Sequence, residues 1–348
     1  PKTGEILALA IAPNYDPNDF GKYTMQEMKN WVITDVYPPG STFKILTTAS
    51  ALECGVTSEN DGFYCGGSKI VDGQKIKCWK SIGHGSQKLT QGFANSCNCV
   101  FMTLAERMGT SKFYSYLKEF GIGSKTGVQI SGESGGIMLK ESLVKTVDLA
   151  RIGFGQTVAV TPLQLITAVS SIVNGGTKVS PTIIKQTEKQ EGKRLISEKT
   201  SQSICNMMKL VVNKTAMYSF VPGYDIGGKT GTAQKFSNGK LDRGKYVSSF
   251  IGTYPASNPE YVLLFCVDEP SAGAYYGSVV AAPYGKEIFT NLFKYLNISP
   301  INQEKDEKKL EKNITMPDLI GKSLTEAVRT LINLGLIYEI DGEGSKVT

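Results

Sequence analysis

The stretch YPPGSTFKILTTASALEC, residues 37–54, decides the fold of this chain. Its Pro-Pro-Gly lead-in and the apolar run behind it predict a helix over residues 41–54, which Gly55 ends. Ser41 then stands at the start of this helix and Lys44 one turn later, so the two side chains are in contact. The positive end of the helix dipole disfavours a further cation, which helps Lys44 to lose its proton. The pattern S-x-x-K therefore predicts a serine nucleophile and a lysine base.

Other copies of this pattern, and of the pattern S-x-N, occur in less suitable surroundings. S-x-x-K also occurs at Ser115 and Ser142, where no Pro-Pro-Gly precedes it, and we expect exposed polar side chains there. S-x-N occurs in ANSCNC at Ser96 and Asn98, and in TSEND at Ser58, which is typical of a turn. The first copy precedes the apolar run VFMTLAERM, which places it at a helix entrance. An ordinary N-cap is the competing interpretation of that position.

The third pattern, K-T-G, is best placed in YDIGGKTGTAQK. Two glycines precede Lys229, and Gly231 follows Thr230, which predicts an edge strand that a substrate backbone approaches closely. The copies at Lys2 and Lys125 are more typical of turns.

The remaining pattern of elements predicts an α+β fold. A loop region with short strands is expected over 56–90, and 246–254 and 260–267 form an antiparallel hairpin joined by ASNP. Residues 4–12 alternate as a strand does. Further predicted helices cover residues 98–108, 111–119, 162–173 and 283–296, so the order is a strand, then many helices, then strands.

Composition excludes some functions and sets the domain boundaries. The net charge of +6 is spread among interleaved acids and bases, which argues against nucleic acid and favours at most an anionic surface such as a cell wall. No apolar run is long enough to span a bilayer. The opening stretch is typical of a strand and not of a natural N-terminus, so we expect a fragment of a longer protein. We expect a main domain over 1–298, a charged linker over 299–315 and a small module over 316–348. In this module one helical face and the strand LIYEI are predicted, and the face comprises Leu324, Ala327, Val328 and Leu331.

The three patterns and their flanks together resemble one family. They follow in the order Ser41, Ser96 and Lys229, and the stretches IGFGQTVAVTPLQLITAVSSIVNGG and SFIGTYPASNPEYVLLFCVDEP agree with them. Residues 1–297 resemble the transpeptidase domain of class B penicillin-binding proteins. This resemblance implies a penicillin-binding protein/serine β-lactamase-like fold, with a central antiparallel sheet flanked by helices. The tail from Met316 resembles the first half of a PASTA domain. A penicillin-binding protein with one trailing PASTA module resembles the sporulation-specific class of Gram-positive, spore-forming bacteria.

The resemblance also implies a role for each site residue. Ser41 attacks the carbonyl of the penultimate D-alanine of a stem peptide, with Lys44 as base. Ser96 relays a proton, Asn98 holds the acyl-side amide and Lys229 supports the electrostatics of the site.

The same resemblance implies how the substrate is held. Thr230, Gly231 and Thr232 bind the substrate, and the two threonines meet its terminal carboxylate. The backbone N–H groups of Ser41 and Thr232 form the oxyanion hole. No cofactor is needed for catalysis.

The implied partners are peptidoglycan stem peptides ending in D-Ala-D-Ala, β-lactam antibiotics and a glycosyltransferase. The implied location is the extracytoplasmic face of the membrane, with an N-terminal anchor upstream of this chain. A β-lactamase on the same scaffold is one alternative, but the deacylation loop E-x-x-L-N is not in the sequence. A non-enzymatic binding protein or β-lactam sensor on the same scaffold is another, and failure of Ser41 to be acylated by any penicillin would favour it.

Four of the seven cysteines lie close in sequence to His84, the only histidine. Cys65, Cys78, His84 and Cys99 offer three thiolates and an imidazole, a set suited to a structural, tetrahedral Zn²⁺. The surrounding loop is polar and rich in glycine, so a metal would replace a missing core. Cys97 is the competing choice to Cys99. A Cys65–Cys78 disulfide and ordinary loop packing are the competing interpretations of the group.

Overall fold

The computed structural model describes residues 1–186, 191–237, 240–271, 273–301, 316–334, 336, 338, 342 and 344–348. Its α-helices are α1 Trp31–Thr34, α2 Lys44–Glu53, α3 Leu89–Ala94, α4 Asn98–Met108, α5 Thr110–Glu119, α6 Thr146–Ile152, α7 Pro162–Val173, α8 Glu198–Lys214, α9 Gly277–Val280, α10 Ala282–Tyr295 and α11 Leu324–Asn333. Short 3₁₀ turns cover Pro17–Lys22, Gly40–Phe43, Glu141–Leu143 and Met217–Ser219. The strands are β1 Gly62–Cys65, β2 Ser68–Val71, β3 Gln74–Lys77, β4 Gly85–Lys88, β5 Ile137–Met138, β6 Val158–Ala159, β7 Gly227–Ser237, β8 Lys240–Tyr254 and β9 Tyr261–Asp268.

The chain divides into two compact units, and the division does not follow the sequence in order. Unit 1 comprises Pro1–Leu89 and Cys97–Ile204, and unit 2 comprises Thr90–Ser96 and Cys205–Thr348. The S-x-N segment therefore contributes Ser96 to one unit and Asn98 to the other.

Unit 1 is built around helix α2, which follows the Gly40–Phe43 turn directly. Every residue of α2 from Lys44 to Ala51 is buried, so this is a central helix and not an amphipathic surface helix. Helices α4, α5 and α7 pack against it. Two antiparallel pairs, β1 with β4 and β2 with β3, form the predicted region of short strands.

Unit 2 is built on the antiparallel sheet of order β7–β8–β9, which confirms the predicted hairpin of residues 246–254 and 260–267. Helix α10 covers one face of the sheet and buries Phe289 and Phe293 beside Phe250 of β8. Within the described residues, β7 lies at an edge of this sheet, as predicted for the K-T-G strand.

The predicted strand over residues 4–12 is wrong. Within the described residues, Glu5 is the only member of this stretch that makes a bridge, to Thr182, and Leu7 is 71% exposed. Alternating apolar residues favour extended backbone, but a strand also needs a partner ladder, which sequence periodicity does not supply. The 17-residue helix α8 has no counterpart in the prediction.

The tail is described only in part. Helix α11 is present and buries Ala327, Val328 and Leu331, which confirms the predicted helical face. Most of the predicted linker, residues 302–315, lies outside the described residues, as does most of the predicted strand LIYEI at 336–340. No helix among the described residues is long and apolar enough to cross a membrane.

Candidate active site

Ser41, Lys44 and Asn98 meet within unit 1. Ser41 lies in the 3₁₀ turn and Lys44 is the first residue of α2, so the spacing of three brings Lys44 Nζ to 3.0 Å from Ser41 Oγ. Lys44 Nζ also donates a hydrogen bond to Asn98 Oδ1 at 2.8 Å. A neutral lysine amine has two N–H donors and one lone pair. It can therefore donate to Asn98 while it accepts the proton of Ser41.

Burial prepares Lys44 for this role. Its side chain is completely buried, and this burial lowers the pKa of Lys44 from 10.5 to about 8. The nearby thiols of Cys78, Cys97 and Cys99 oppose the shift without cancelling it. About a tenth of Lys44 is therefore neutral at pH 7, and a general base must be in this neutral form.

A second segment of unit 1 supports the backbone next to Ser41. Gly40 has a φ of +55° and donates its N–H to the carbonyl oxygen of Gly155 at 2.9 Å. A Cβ at Gly155 would lie 2.1 Å from the Gly40 oxygen, so only glycine permits this approach. Thr47 of α2 donates to the oxygen of Gly153 in the same segment, at 2.8 Å. The GFGQ stretch thus fixes the turn that carries Ser41.

Ser96 and Lys229 meet within unit 2. Lys229 is 1% exposed, and its Nζ donates to Ser96 Oγ at 3.1 Å and to the Thr230 oxygen at 3.2 Å. Ser96 has a φ of +51°, a left-handed conformation that is uncommon outside glycine and asparagine. Such strained backbone is concentrated at functional sites. The structure thus brings the predicted Ser96 and Lys229 into hydrogen-bond contact, with Ser96 in a strained backbone conformation.

The predicted substrate-binding residues alternate between the two faces of strand β7. Thr230 and Thr232 are partly exposed, and Gly231 between them is buried. The glycine ahead of Lys229 has a different role from the one predicted. A Cβ at Gly228 would lie 2.6 Å from the Phe250 ring of β8, so this glycine makes room for the core and not for a substrate.

Several copies of the three patterns that were set aside are exposed, namely Ser58, Ser115, Ser142 and Lys125. For Ser115 and Ser142 this agrees with the expected exposed polar side chains.

The cysteine–histidine group forms a compact cluster in unit 1. The ligand atoms of Cys65, Cys78, His84 and Cys97 all lie within 4.8 Å of one another. Cys65 ends β1, His84 precedes β4, and the N–H of His84 donates to the Cys65 oxygen at 3.0 Å. Cys97 is the N-cap of α4, with extended backbone. Cys97 thus stands in this group where the sequence predicted Cys99, which lies inside the first turn of α4.

The thiols of this cluster differ in their tendency to ionise. Hydrogen bonds with Cys97 and Cys99 hold the pKa of Cys78 far below its ordinary value. The pKa of Cys99 is raised, first by its hydrogen bond with Cys78, so Cys99 acts as an S–H donor to the cluster. Burial lowers the pKa of His84, but hydrogen bonds with Cys78, Cys97 and Cys65 outweigh it and raise that pKa to about 10.

The structure shows all seven cysteines as free thiols, including Cys65 and Cys78. His84 Nε2 is buried without a hydrogen-bond partner in the described part of the chain. A buried polar atom with no partner is uncommon and calls for a ligand or another explanation.

A serine nucleophile paired with a lysine base, on a mixed α+β fold, is typical of enzymes that transfer acyl groups through a serine ester. The chain belongs to the penicillin-binding protein transpeptidase domain family, whose profile matches residues 1–290. This confirms the resemblance drawn from the three patterns.

Two relatives show how far the similarity extends. Stage V sporulation protein D of Bacillus subtilis is 39% identical over 100% of this chain and 56% of that protein. The probable peptidoglycan D,D-transpeptidase PenA of Neisseria gonorrhoeae is 33% identical over 86% of this chain and 51% of that protein. The chain thus spans about half the length of these relatives.

Solved structures confirm the fold class. The transpeptidase domain of penicillin-binding protein 3 from Burkholderia pseudomallei matches with a TM-score of 0.77 at 28% identity, over 86% of this chain and 87% of that one. Penicillin-binding protein 3 of Mycobacterium tuberculosis, complexed with aztreonam, matches with a TM-score of 0.79 at 29% identity, over 87% of this chain and 73% of that one.

Sequence reasoning missed residues that act through backbone contacts. Gly155 was visible only as part of a family stretch, and no recognised pattern marked Gly277. Cys97 was the competing choice, and the sequence favoured Cys99 over it. Closely spaced glycines such as those of GFG indicate that another backbone segment packs closely against them, but they do not identify that segment.

Proposed function

We propose that this chain is a serine D,D-transpeptidase domain that cross-links peptidoglycan stem peptides. The observation that carries the proposal is the buried Lys44 amine, 3.0 Å from Ser41 Oγ and with a lowered pKa. Family membership and the name of the PenA relative support it.

The proposed reaction has two acyl-transfer steps. Ser41 Oγ bonds to the carbonyl carbon of the penultimate D-alanine while its proton passes to Lys44. The peptide bond then breaks, and D-alanine leaves with a proton. The amine of a second stem attacks the resulting ester, forms the cross-link and returns the proton to Ser41. A β-lactam enters the first step and leaves a slowly hydrolysed acyl-enzyme.

The other predicted residues keep their proposed roles. Asn98 holds the acyl-side amide and, through its hydrogen bond with Lys44, orients the base. Ser96 relays a proton, and Lys229, which contacts Ser96 Oγ, supports the electrostatics. Thr230, Gly231 and Thr232 bind the carboxylate end of the substrate.

Penicillin acylation tests this proposal. We expect mass spectrometry to show one covalent benzylpenicillin adduct per chain, mapped to Ser41. Ser41→Ala should abolish the adduct, and Lys44→Ala should slow its formation about 10²- to 10⁴-fold, the range for loss of a general base. Ser115→Ala is the matched control because it alters an exposed S-x-x-K serine, and it should acylate normally.

Chromogenic cephalosporin turnover separates the alternatives. A transpeptidase should release about one product per chain and then turn over slowly. Hundreds of turnovers per second would identify a β-lactamase. No adduct with any penicillin would favour a non-catalytic protein and contradict the proposal.

We infer the cellular setting from the relatives. The relative named Stage V sporulation protein D supports a role in cell-wall or spore-cortex synthesis. The proposed location is the extracytoplasmic face of the membrane, with an anchor outside this chain and a glycosyltransferase as partner. We also propose that residues 316–348 are part of a PASTA module, supported by α11 and the bridge between Ser323 and Lys346.

We also propose that Cys65, Cys78, Cys97 and His84 hold a structural Zn²⁺. Three sulfurs and one imidazole are the ligands of closed zinc sites, and Zn–S bonds of about 2.3 Å with Zn–N bonds of about 2.0 Å set a sulfur and a nitrogen ligand about 3.5 Å apart. Cys78 Sγ lies 3.8 Å from His84 Nδ1. The metal would hold the loops around β1 and β4 to the start of α4, next to Asn98.

Elemental analysis tests the metal site. We expect about one zinc per chain in protein purified without added metal or chelator. His84→Ala and Cys97→Ser should lose it and melt at a lower temperature. Cys54→Ser, at the C-terminus of α2, is the control and should keep the metal. Cys99→Ser decides between the two cysteines, and loss of zinc there with retention in Cys97→Ser would restore the original ligand set. Wild-type protein without metal would contradict the site.

A further inference from the structure

A backbone N–H contacts the hydroxyl of Thr232 on strand β7. The donor is Gly277, the first residue of α9, and its nitrogen lies 2.8 Å from Thr232 Oγ1. This is the only hydrogen bond of Thr232 Oγ1 within the described part of the chain. The hydroxyl therefore accepts from the protein and keeps its own O–H for another partner.

The direction of this bond determines what the hydroxyl can do. A threonine hydroxyl has one O–H donor and two acceptor lone pairs. When an N–H occupies a lone pair, the O–H points away from that N–H. A ligand carboxylate can only accept, so it needs a donor in this orientation. Thr232 is partly exposed on the same face of β7 as Thr230.

Residue 277 has to be glycine for this contact. A Cβ there would lie 2.1 Å from the Gly231 oxygen and 2.7 Å from the Ser249 oxygen. The Gly277 backbone thus lies directly against the K-T-G segment. Any side chain would push the N–H away from Thr232.

Two further contacts hold the segment that carries Gly277. Ser248, which pairs with Thr232 across the sheet, donates its hydroxyl to the Tyr275 oxygen at 2.5 Å. The Tyr275 ring stacks on the Tyr246 ring of β8 with 4.1 Å between centroids. Strand β8 therefore fixes the position of the N–H that orients Thr232.

We propose that Gly277 is a positioning residue for carboxylate recognition. Its N–H orients the Thr232 hydroxyl so that the O–H donates to the terminal carboxylate of the acyl donor. This inference rests on the proposed function and identifies how the site selects substrates with a free carboxylate. Ser248 and Tyr275 act indirectly, because their contacts hold the segment that carries Gly277.

The test compares benzylpenicillin with its methyl ester, which lacks the carboxylate charge. The measured quantity is the ratio of their acylation rate constants at Ser41. We expect Thr232→Val to lower the acid-to-ester ratio about 10- to 100-fold, the range for a hydrogen bond to a charged group. Thr232→Ser, which keeps the hydroxyl, should retain most of it. Gly277→Ala should lower the ratio to a similar extent, and the double variant should be no worse than either single variant.

Several outcomes would overturn the inference. Gly277→Ala that slows acid and ester equally would show a structural role alone, and additive effects in the double variant would show that Gly277 does not act through Thr232. Absence of acylation by either compound in the wild type would instead contradict the proposed function.

A second measurement tests the inference even if the Gly277→Ala variant does not fold. Hydrogen exchange of the Gly277 amide should be fast in Thr232→Val and slow in Thr232→Ser. Ser248→Ala, which adds no bulk, should lower the acid-to-ester ratio in part. Equal protection of the amide in both Thr232 variants would overturn the inference.

Discussion

At the scale of single residues, two buried lysines distinguish this chain from an ordinary α+β domain. Lys44 and Lys229 are 0% and 1% exposed, although lysine is almost never fully buried without a partner. Each contacts a serine hydroxyl within its own unit. Removing an amine from water costs free energy, and for Lys44 this cost appears as its lowered pKa.

Lys44 gives a pH dependence with a defined sign. Its pKa is lowered to about 8, so the fraction of neutral amine rises as the pH rises through 8. We expect the rate constant for acylation of Ser41 by benzylpenicillin to increase about tenfold from pH 7 to pH 9 and then to level off. Stopped-flow measurement with circular dichroism at each pH separates this effect from unfolding. A flat profile over this range would mean that Lys44 is not the base.

At the scale of elements, the residues that cap the N-terminus of helix α7 also hold a distant loop. Thr161 accepts from the Gln164 N–H at 3.0 Å, and Gln164 Oε1 accepts from the Thr161 N–H at 3.0 Å. The sequence predicted the helix over 162–173, with Pro162 in its first turn, and the structure adds the capping box. Gln164 also donates to the oxygens of Ser124 and Gly135, which ties the loop before β5 to the helix.

The cap at Thr161 is completely buried, so its loss leaves the Gln164 N–H without a partner. We expect Thr161→Ala to lower the free energy of unfolding by about 1–2 kcal/mol. Thr161→Ser is the matched control because it keeps the hydroxyl and removes only the methyl group. Urea denaturation measures both. Equal losses in the two variants would assign the effect to methyl packing and not to the cap.

Strand β7 shows the limit of element-level prediction. Its K-T-G pattern and glycines predicted an edge strand, and the sheet order agrees. The sequence did not show that Gly228 adjoins Phe250, because that contact depends on the register with β8. Register is a tertiary property, and a shift of one residue would turn Thr230 and Thr232 to the opposite face.

At the scale of the whole molecule, composition and contacts report different divisions. A run of charged residues predicted a boundary near 299–315, where the chain has few apolar residues to bury. The contacts divide the chain instead between Leu89 and Thr90, between Ser96 and Cys97 and between Ile204 and Cys205. Composition detects segments that cannot form a core. The points at which the chain passes from one unit to the other depend on which distant segments pack together. The boundary at the linker stays a prediction.

The sequence alone determined the features that depend on local spacing. The contact between Ser41 and Lys44 follows from three residues of helical rise, and the helices over 98–108 and 162–173 follow from apolar periodicity and caps. Only the tertiary structure decided which distant atoms meet. It placed Cys97 beside Cys65, Cys78 and His84, and it brought the Gly277 N–H to Thr232. The physical reason is that burial and pKa depend on neighbours far along the chain, and a one-dimensional pattern does not contain their distances.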